Sequence, residues 1–243
     1  MSNYNIKIMH LYPDLLNLYG DKGNIACMQK RLEWRNIDAE VIRVIAETDD
    51  FDISSADIIF LGGGAERENK IVYEKLKSKS AELSGFIENG GTLVAMCDGF
   101  AMLGSCVNAD SGETEGLGII DISTIYSKDA KKVIGNAVIA CDGLDMPVVG
   151  FENHGGMTDI KNHTPLGKVI KGGGADGKGE FEGIVYKNLT GTYLHGPLFP
   201  KNPHLCDRIL LATLTHKYGN FDALNLLDDS IEIKANEYMI NRP

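Results

Sequence analysis

Apolar residues come in two rhythms along the first hundred residues. Short runs with strand character, IKIMHL (6–11), AEVIRVI (39–45), DIIFLGGG (57–64) and TLVAMC (92–97), alternate with stretches of helical spacing at about 24–36 and about 71–89. Strands of four to eight residues separated by helical patterns predict crossover connections, parallel pairing and helices on both sheet faces. The expected fold is α/β: a doubly wound, mostly parallel sheet. After Gly104 the rhythm changes to short β-like runs set between glycines, such as KVIGNAVIA, PVVGFENHGG and FEGIVYKNLTGTYLHG, which predicts an antiparallel extension of the sheet or loops lining a site. A helix is expected from about Pro203 through HLCDRILLATLTHKY, and NFDALNLLDDSIEIKANEYM (220–239) predicts one more. GGGADGKGEFEG (172–183) reads as a mobile surface connection. Neither repeats nor low-complexity segments occur, so 1–243 reads as a single domain, with 216–243 a candidate C-terminal helical extension.

Composition narrows the function more than the fold. With 43% hydrophobic and 24% charged residues the chain is an ordinary globular one. The net charge of −10 is spread out and no basic stripe appears, which argues against a nucleic-acid partner. No apolar run approaches the ~20 residues of a membrane span, and the N-terminus lacks the basic-then-apolar order of a secretory leader, so a cytoplasmic protein without membrane insertion is expected. The five cysteines are scattered and form no C-x-x-C pair, which argues against a disulfide framework and a structural zinc site; no metal or other cofactor is expected.

Only Cys97 has a context that asks for chemistry. TLVAMCDGFAMLG (92–104) runs an apolar strand into a cysteine, then Asp98 and Gly99, then a helical pattern at once, the signature of a nucleophile elbow. At the carboxyl end of a parallel strand the sulfur stands where open α/β sheets gather function, and a following helix N-terminus favours thiolate over thiol. His195, at the end of the β-like run TGTYLHGP and stopped by Gly196 and Pro197, is the candidate general acid and base. The glycine turn of IIFLGGGAE, after a strand expected to neighbour the elbow, offers backbone N–H groups for an oxyanion; no G-K-[ST] follows, so it does not read as a phosphate loop.

Taken together these stretches resemble the class I glutamine amidotransferases, and within them the cobyric acid synthase (CobB/CobQ) type, whose site combines C-G-G-[YF]-Q-x-[LM]-G with Y-x-H-G. YPDLLNLYGDKGN (12–24), FLGGGAERE (60–68), CDGFAMLG (97–104), GFENHGG (150–156) and GTYLHGPLFPKNP (191–203) match in order. The resemblance implies a flavodoxin-like sheet, L-glutamine as substrate, Cys97 as nucleophile and His195 as acid and base. It places the oxyanion on Gly63, Gly64 and the Asp98 N–H, and the glutamine on backbone around Asn153, His154 and Gly155, with Lys132 near the position of a family arginine that grips the substrate. It further implies a heterodimer in which ammonia passes to an ATP-dependent, Mur-ligase-like partner of the MurT type that amidates D-glutamate in the peptidoglycan stem. Against the pattern, Ala65 and Ala101 stand for glutamine, Asp98 for glycine and Met157 for arginine. A non-catalytic or substrate-altered regulatory subunit and a stand-alone cysteine amide hydrolase therefore stay open. Pro197 occupies the position of the usual third-member acid, two residues after the histidine, so the orienting carboxylate is expected from Glu152 or Glu180 or from a partner subunit.

Overall fold

TLVAM, residues 92–96, is buried at every position, as a strand covered on both faces must be. A computed structural model describes residues 4–48, 50–219 and 221–242. The two ends of the 1–243 reading, and Asn220 at the start of the expected last helix, lie outside the described residues. In chain order the first part forms β1 (Asn5–Leu11), α1 (Lys22–Glu33), β2 (Asp38–Val44), β3 (Ile58–Leu61), α2 (Glu66–Leu76), α3 (Ser80–Glu88), β4 (Thr92–Met96) and the short α4 (Asp98–Met102). The glycine-rich part supplies β5 (Ser105–Asn108), β6 (Thr114–Glu115), β7 (Ser123–Tyr126), β8 (Val133–Ala140), β9 (Val148–His154), β10 (Met157–Asp159), β11 (Gly167–Lys171), β12 (Phe181–Glu182), β13 (Ile184–Tyr186) and β14 (Leu189–Thr192). Two helices follow, α5 (Pro203–Tyr218) and α6 (Ser230–Asn241).

The main sheet runs β13-β14-β4-β3-β1-β2, parallel throughout except that β13 joins β14 antiparallel. Its register sets Thr192 beside Met96, Ala95 beside Leu61, and Leu61 beside Leu11. The carboxyl ends of β14, β4, β3 and β1 therefore share one rim, and the residues just past them come together there. One face is covered by α2 and α3 through Val72, Leu76, Leu83 and Ile87; the other by α1 and α5 through Met28, Leu32, Leu210 and Leu214. Helices on both faces make this the doubly wound sheet that the alternating pattern predicts. No helix among the described residues is long and apolar enough to cross a membrane.

Away from that sheet, the glycine-rich part builds two further four-stranded sheets, β10-β7-β5-β6 and β12-β11-β8-β9; only β13 extends the main sheet antiparallel. Three local expectations change. The helix expected over 71–89 is two helices starting at Glu66, divided by a tight turn at Lys77–Lys79. The C-terminal helix begins only at Ser230, because the chain before it is held as a strap: Arg31 on α1 pairs with Asp229 and Arg35 donates to the Asn225 carbonyl. And the 172–183 loop is fastened rather than loose, since the N–H groups of Gly173 and Gly174 donate to the Glu152 carboxylate at 2.9 and 2.7 Å.

Candidate active site

Cys97 adopts φ 54°, ψ −124°, a conformation that side-chain-bearing residues rarely hold and that costs on the order of 1–3 kcal/mol. Its surroundings impose it. The Cys97 N–H donates to the Thr192 carbonyl at 2.8 Å, and its own carbonyl accepts from Phe100 and Ala101. Gly99 is required by the approach of β3: a Cβ there would lie 2.4 Å from the Gly62 oxygen and 2.8 Å from that of Leu61. Gly63 likewise faces the elbow, where a Cβ would come within 2.9 Å of Cys97 Cβ. A strand-to-cysteine-to-helix sequence thus becomes a strained turn wedged between the ends of β3 and β14.

The thiol is not activated as the helix argument expects. Burial pushes the Cys97 thiol well above its ordinary range, and the Asp98 carboxylate pushes it further, against an Asp98 N–H that favours the thiolate; Asp21 and Glu182 add to the rise. A five-residue α4 supplies too few aligned peptide dipoles to offset this. Cys97 rests as a thiol.

His195 is brought to the same rim. Thr192, which accepts the Cys97 N–H, lies three residues before it, and His195 and Phe151 exchange both backbone hydrogen bonds, tying the end of β14 to β9. Its ring stacks on Tyr19, centroids 3.7 Å apart, and meets Phe151 edge-on. Neither ring nitrogen has a hydrogen-bond partner among the described residues, so no Cys97–His195 hydrogen bond is formed. Burial, then the charges of His154 and Lys201, hold its pKa down at about 4, so the imidazole is neutral at pH 7 and able to accept a proton.

The glycine turn is also rearranged relative to expectation. The Gly63 N–H donates to Asp21 Oδ2 at 3.2 Å and the Gly64 N–H to Asn69 Oδ1 at 3.1 Å, so both assigned oxyanion donors are engaged. The Asp98 N–H is the one that faces the sulfur. Asp21 itself is buried, which raises its carboxyl to about 6.

Of the substrate residues, Asp98, Lys132 and Gly155 line one cavity of about 510 Å3, together with Tyr126, Asn69 and Met102. Lys132 is exposed and reaches past Gly155. The His154 ring stacks on Tyr193 and its Nδ1 bonds the Gly156 carbonyl, so only its backbone is left to serve substrate. Asn153 stands on β9 and does not line the cavity. Neither expected third carboxylate holds His195, because Glu152 is spent on the glycine loop and Glu180 is exposed. Instead Glu182, fully buried, accepts the Thr192 hydroxyl and the Tyr193 N–H, both at 2.6 Å, just ahead of the histidine. Sequence reasoning misses Tyr19, Asp21, Asn69 and Glu182. Tyr19 and Asp21 fall inside a quoted stretch, but nothing in their spacing points to His195 or Gly63.

Comparison with known proteins gives a consistent result. A profile for the CobB/CobQ-like glutamine amidotransferase domain matches residues 7–203. The chain is 38% identical over 240 residues to the GatD subunit of lipid II isoglutaminyl synthase (glutamine-hydrolyzing) from Staphylococcus aureus, covering 98% of this chain and 96% of that one. It is 36% identical to the corresponding Streptococcus pneumoniae GatD, covering 97% and 91%. Among solved structures, a glutamine amidotransferase from Thermotoga maritima superposes with a TM-score of 0.53 at 14% identity, over 97% of this chain and 92% of that one, a likeness of fold.

Proposed function

The chain belongs to the CobB/CobQ-like glutamine amidotransferase family, and on that premise we propose that it is a GatD-type glutaminase subunit. Cys97 gives its proton to His195 and attacks the side-chain amide carbon of L-glutamine. The C–N bond breaks, ammonia leaves with a proton returned by His195, and water then releases glutamate from the glutamyl thioester. The Asp98 N–H receives the developing oxyanion, and Gly63 or Gly64 supplies the second donor by exchanging Asp21 or Asn69 for the substrate oxygen. Lys132 and the cavity wall at Gly155 take the amino-acid end of glutamine. Ammonia passes to an ATP-dependent, Mur-ligase-like partner of the MurT type, which amidates the D-glutamate of the peptidoglycan stem.

The observation that supports this reading most is the strained elbow: a cysteine at φ 54° at the end of a central parallel strand, with a neutral histidine at the end of the adjacent one. Glutamate release from L-glutamine, measured with the chain alone and with its co-purified partner, tests it. Cys97→Ser should abolish release and His195→Ala should lower it at least about a hundredfold with the melting temperature preserved. A wild-type complex that amidates from free ammonia but releases no glutamate from glutamine would instead support a non-catalytic subunit. That second reading draws on the Asp98 carboxylate beside the thiol and on the engaged glycine N–H groups.

A further inference from the structure

Asp98 stands where the resembled motif carries glycine, and its side chain is in contact with the nucleophile. Its Oδ2 accepts the Cys97 S–H at 3.9 Å, a long contact of the kind sulfur donors make, and its Oδ1 accepts the Tyr126 hydroxyl at 3.1 Å. Tyr126 belongs to β7, so the second sheet braces the carboxylate from behind. Asn69, whose amide locks the Gly64 turn through two hydrogen bonds, lies beside the same carboxylate and favours its charged form. One side chain thereby joins the elbow, the glycine turn and the wall of the 510 Å3 cavity.

We propose that the Asp98 carboxylate, braced by the Tyr126 hydroxyl, is a positioning residue for the glutaminase site: it turns the Cys97 thiol toward itself and keeps the nucleophile protonated until His195 takes the proton. This rests on Cys97 being the nucleophile. The physical reason is that a thiolate and a carboxylate in contact within a dry site cannot both be charged cheaply. Other titratable groups act on the sulfur: Asp21 ahead of α1, Glu182 on β12, and Tyr19, Tyr126 and Tyr193; Cys106 on β5 acts on Asp98 instead. Among the carboxyl groups Asp98 is the one in hydrogen-bond contact. Asp21 and Glu182 are raised by burial to about 6 and about 7, so each is partly neutral near pH 7. Burial raises Asp98 too, but Asn69 and the Tyr126 hydroxyl favour its charged form. The arrangement makes the acylation step wait for a correctly placed His195, and it limits attack on stray electrophiles.

The test is the pH dependence of Cys97 alkylation by iodoacetamide in the full chain, with the modified residue located by mass spectrometry. Asp98→Asn keeps the volume and removes the charge; Asp98→Gly restores the residue of the resembled motif. Both should lower the midpoint of the alkylation profile, giving about tenfold or greater acceleration near neutral pH, while a purely structural role would leave the midpoint in place. Melting curves verify that each variant is folded. An unchanged midpoint in a folded variant overturns the proposal. So does a wild-type midpoint at or below the ordinary thiol value of about 8.5, a measurement that needs no variant. Failure of the nucleophile reading registers separately, as glutamate release that survives Cys97→Ser.

Discussion

At the scale of single residues, the site is a set of titratable groups moved off their ordinary values by burial. Glu182 has the clearest thermodynamic consequence. Burial first, against the hydrogen bonds from Thr192 and Tyr193, raises its carboxyl from 4.5 to about 7. Between those values the folded chain holds a proton that the unfolded chain has lost, so stability falls as pH rises through the window and the full cost is present above about 7. His195 and His10, both lowered to about 4, act with the opposite sign: the unfolded chain holds their protons up to 6.5, so their contribution is lost as pH falls toward 4. Glu182→Gln separates the two, because its amide oxygen can still accept from Thr192 and Tyr193 without ever charging. The variant's stability relative to wild type, from urea unfolding at about pH 5 and about pH 8, should improve by about 2.5 kcal/mol across the range. A difference that does not vary with pH would mean that Glu182 keeps one protonation state throughout. Residues of this kind are illegible in sequence. Cys97 and His195 could be read because strand ends and glycines punctuate them, whereas Asp21 meets Gly63 from 42 positions away along the chain, a separation that no spacing rule connects.

At the scale of elements, the pattern of apolar positions specifies types well and interruptions poorly. Val72, Leu76, Leu83 and Ile87 are all buried and keep one helical phase across the turn at Lys77–Lys79, which is why 71–89 reads as a single helix. The first turn of α2, ERENK, carries no apolar residue and so escapes the same reading. Residues 221–229 contain enough leucines to mimic a helix, yet the ion pairs and hydrogen bonds of Arg31 and Arg35 hold them against α1 in an irregular path. The elbow was legible because its geometry has a sequence requirement. Gly99→Ala tests that requirement: the added methyl meets backbone oxygens at 2.4 and 2.8 Å, atoms that cannot swing aside. Overpacking of this kind should cost about 1–3 kcal/mol and move the Cys97 sulfur, so thermal denaturation should show a lowered melting temperature and glutamate release should fall with it. Wild-type stability in Gly99→Ala would mean that β3 and α4 are farther apart than described.

At the scale of the whole molecule, the rim of the main sheet gathers Cys97 and His195, and the proposed partner bears on how His195 is held there. Arg31, buried, binds Asp207 of α5 and Asp229 of the strap together, so α1, α5 and the strap form one unit. Among the described residues, His195 is held by stacking and backbone bonds alone. Pro197 replaces the usual acid, Glu152 is committed to the glycine loop, Glu180 is exposed, and Glu182 spends its bound oxygen on Thr192 and Tyr193. An imidazole with both nitrogens unheld divides its time among tautomers and orientations, only some of which can take a proton from the thiol. A carboxylate contributed by the ligase subunit would fix the ring and favour the imidazolium formed during attack, coupling ammonia release to assembly. The isolated chain should then hydrolyse glutamine slowly, and adding the partner should raise kcat much more than it lowers KM, because the missing group acts in the transition state. Full activity of the isolated chain, lost in Glu182→Gln through the unpartnered second oxygen of that carboxylate, would place the third member within this chain and overturn the shared site.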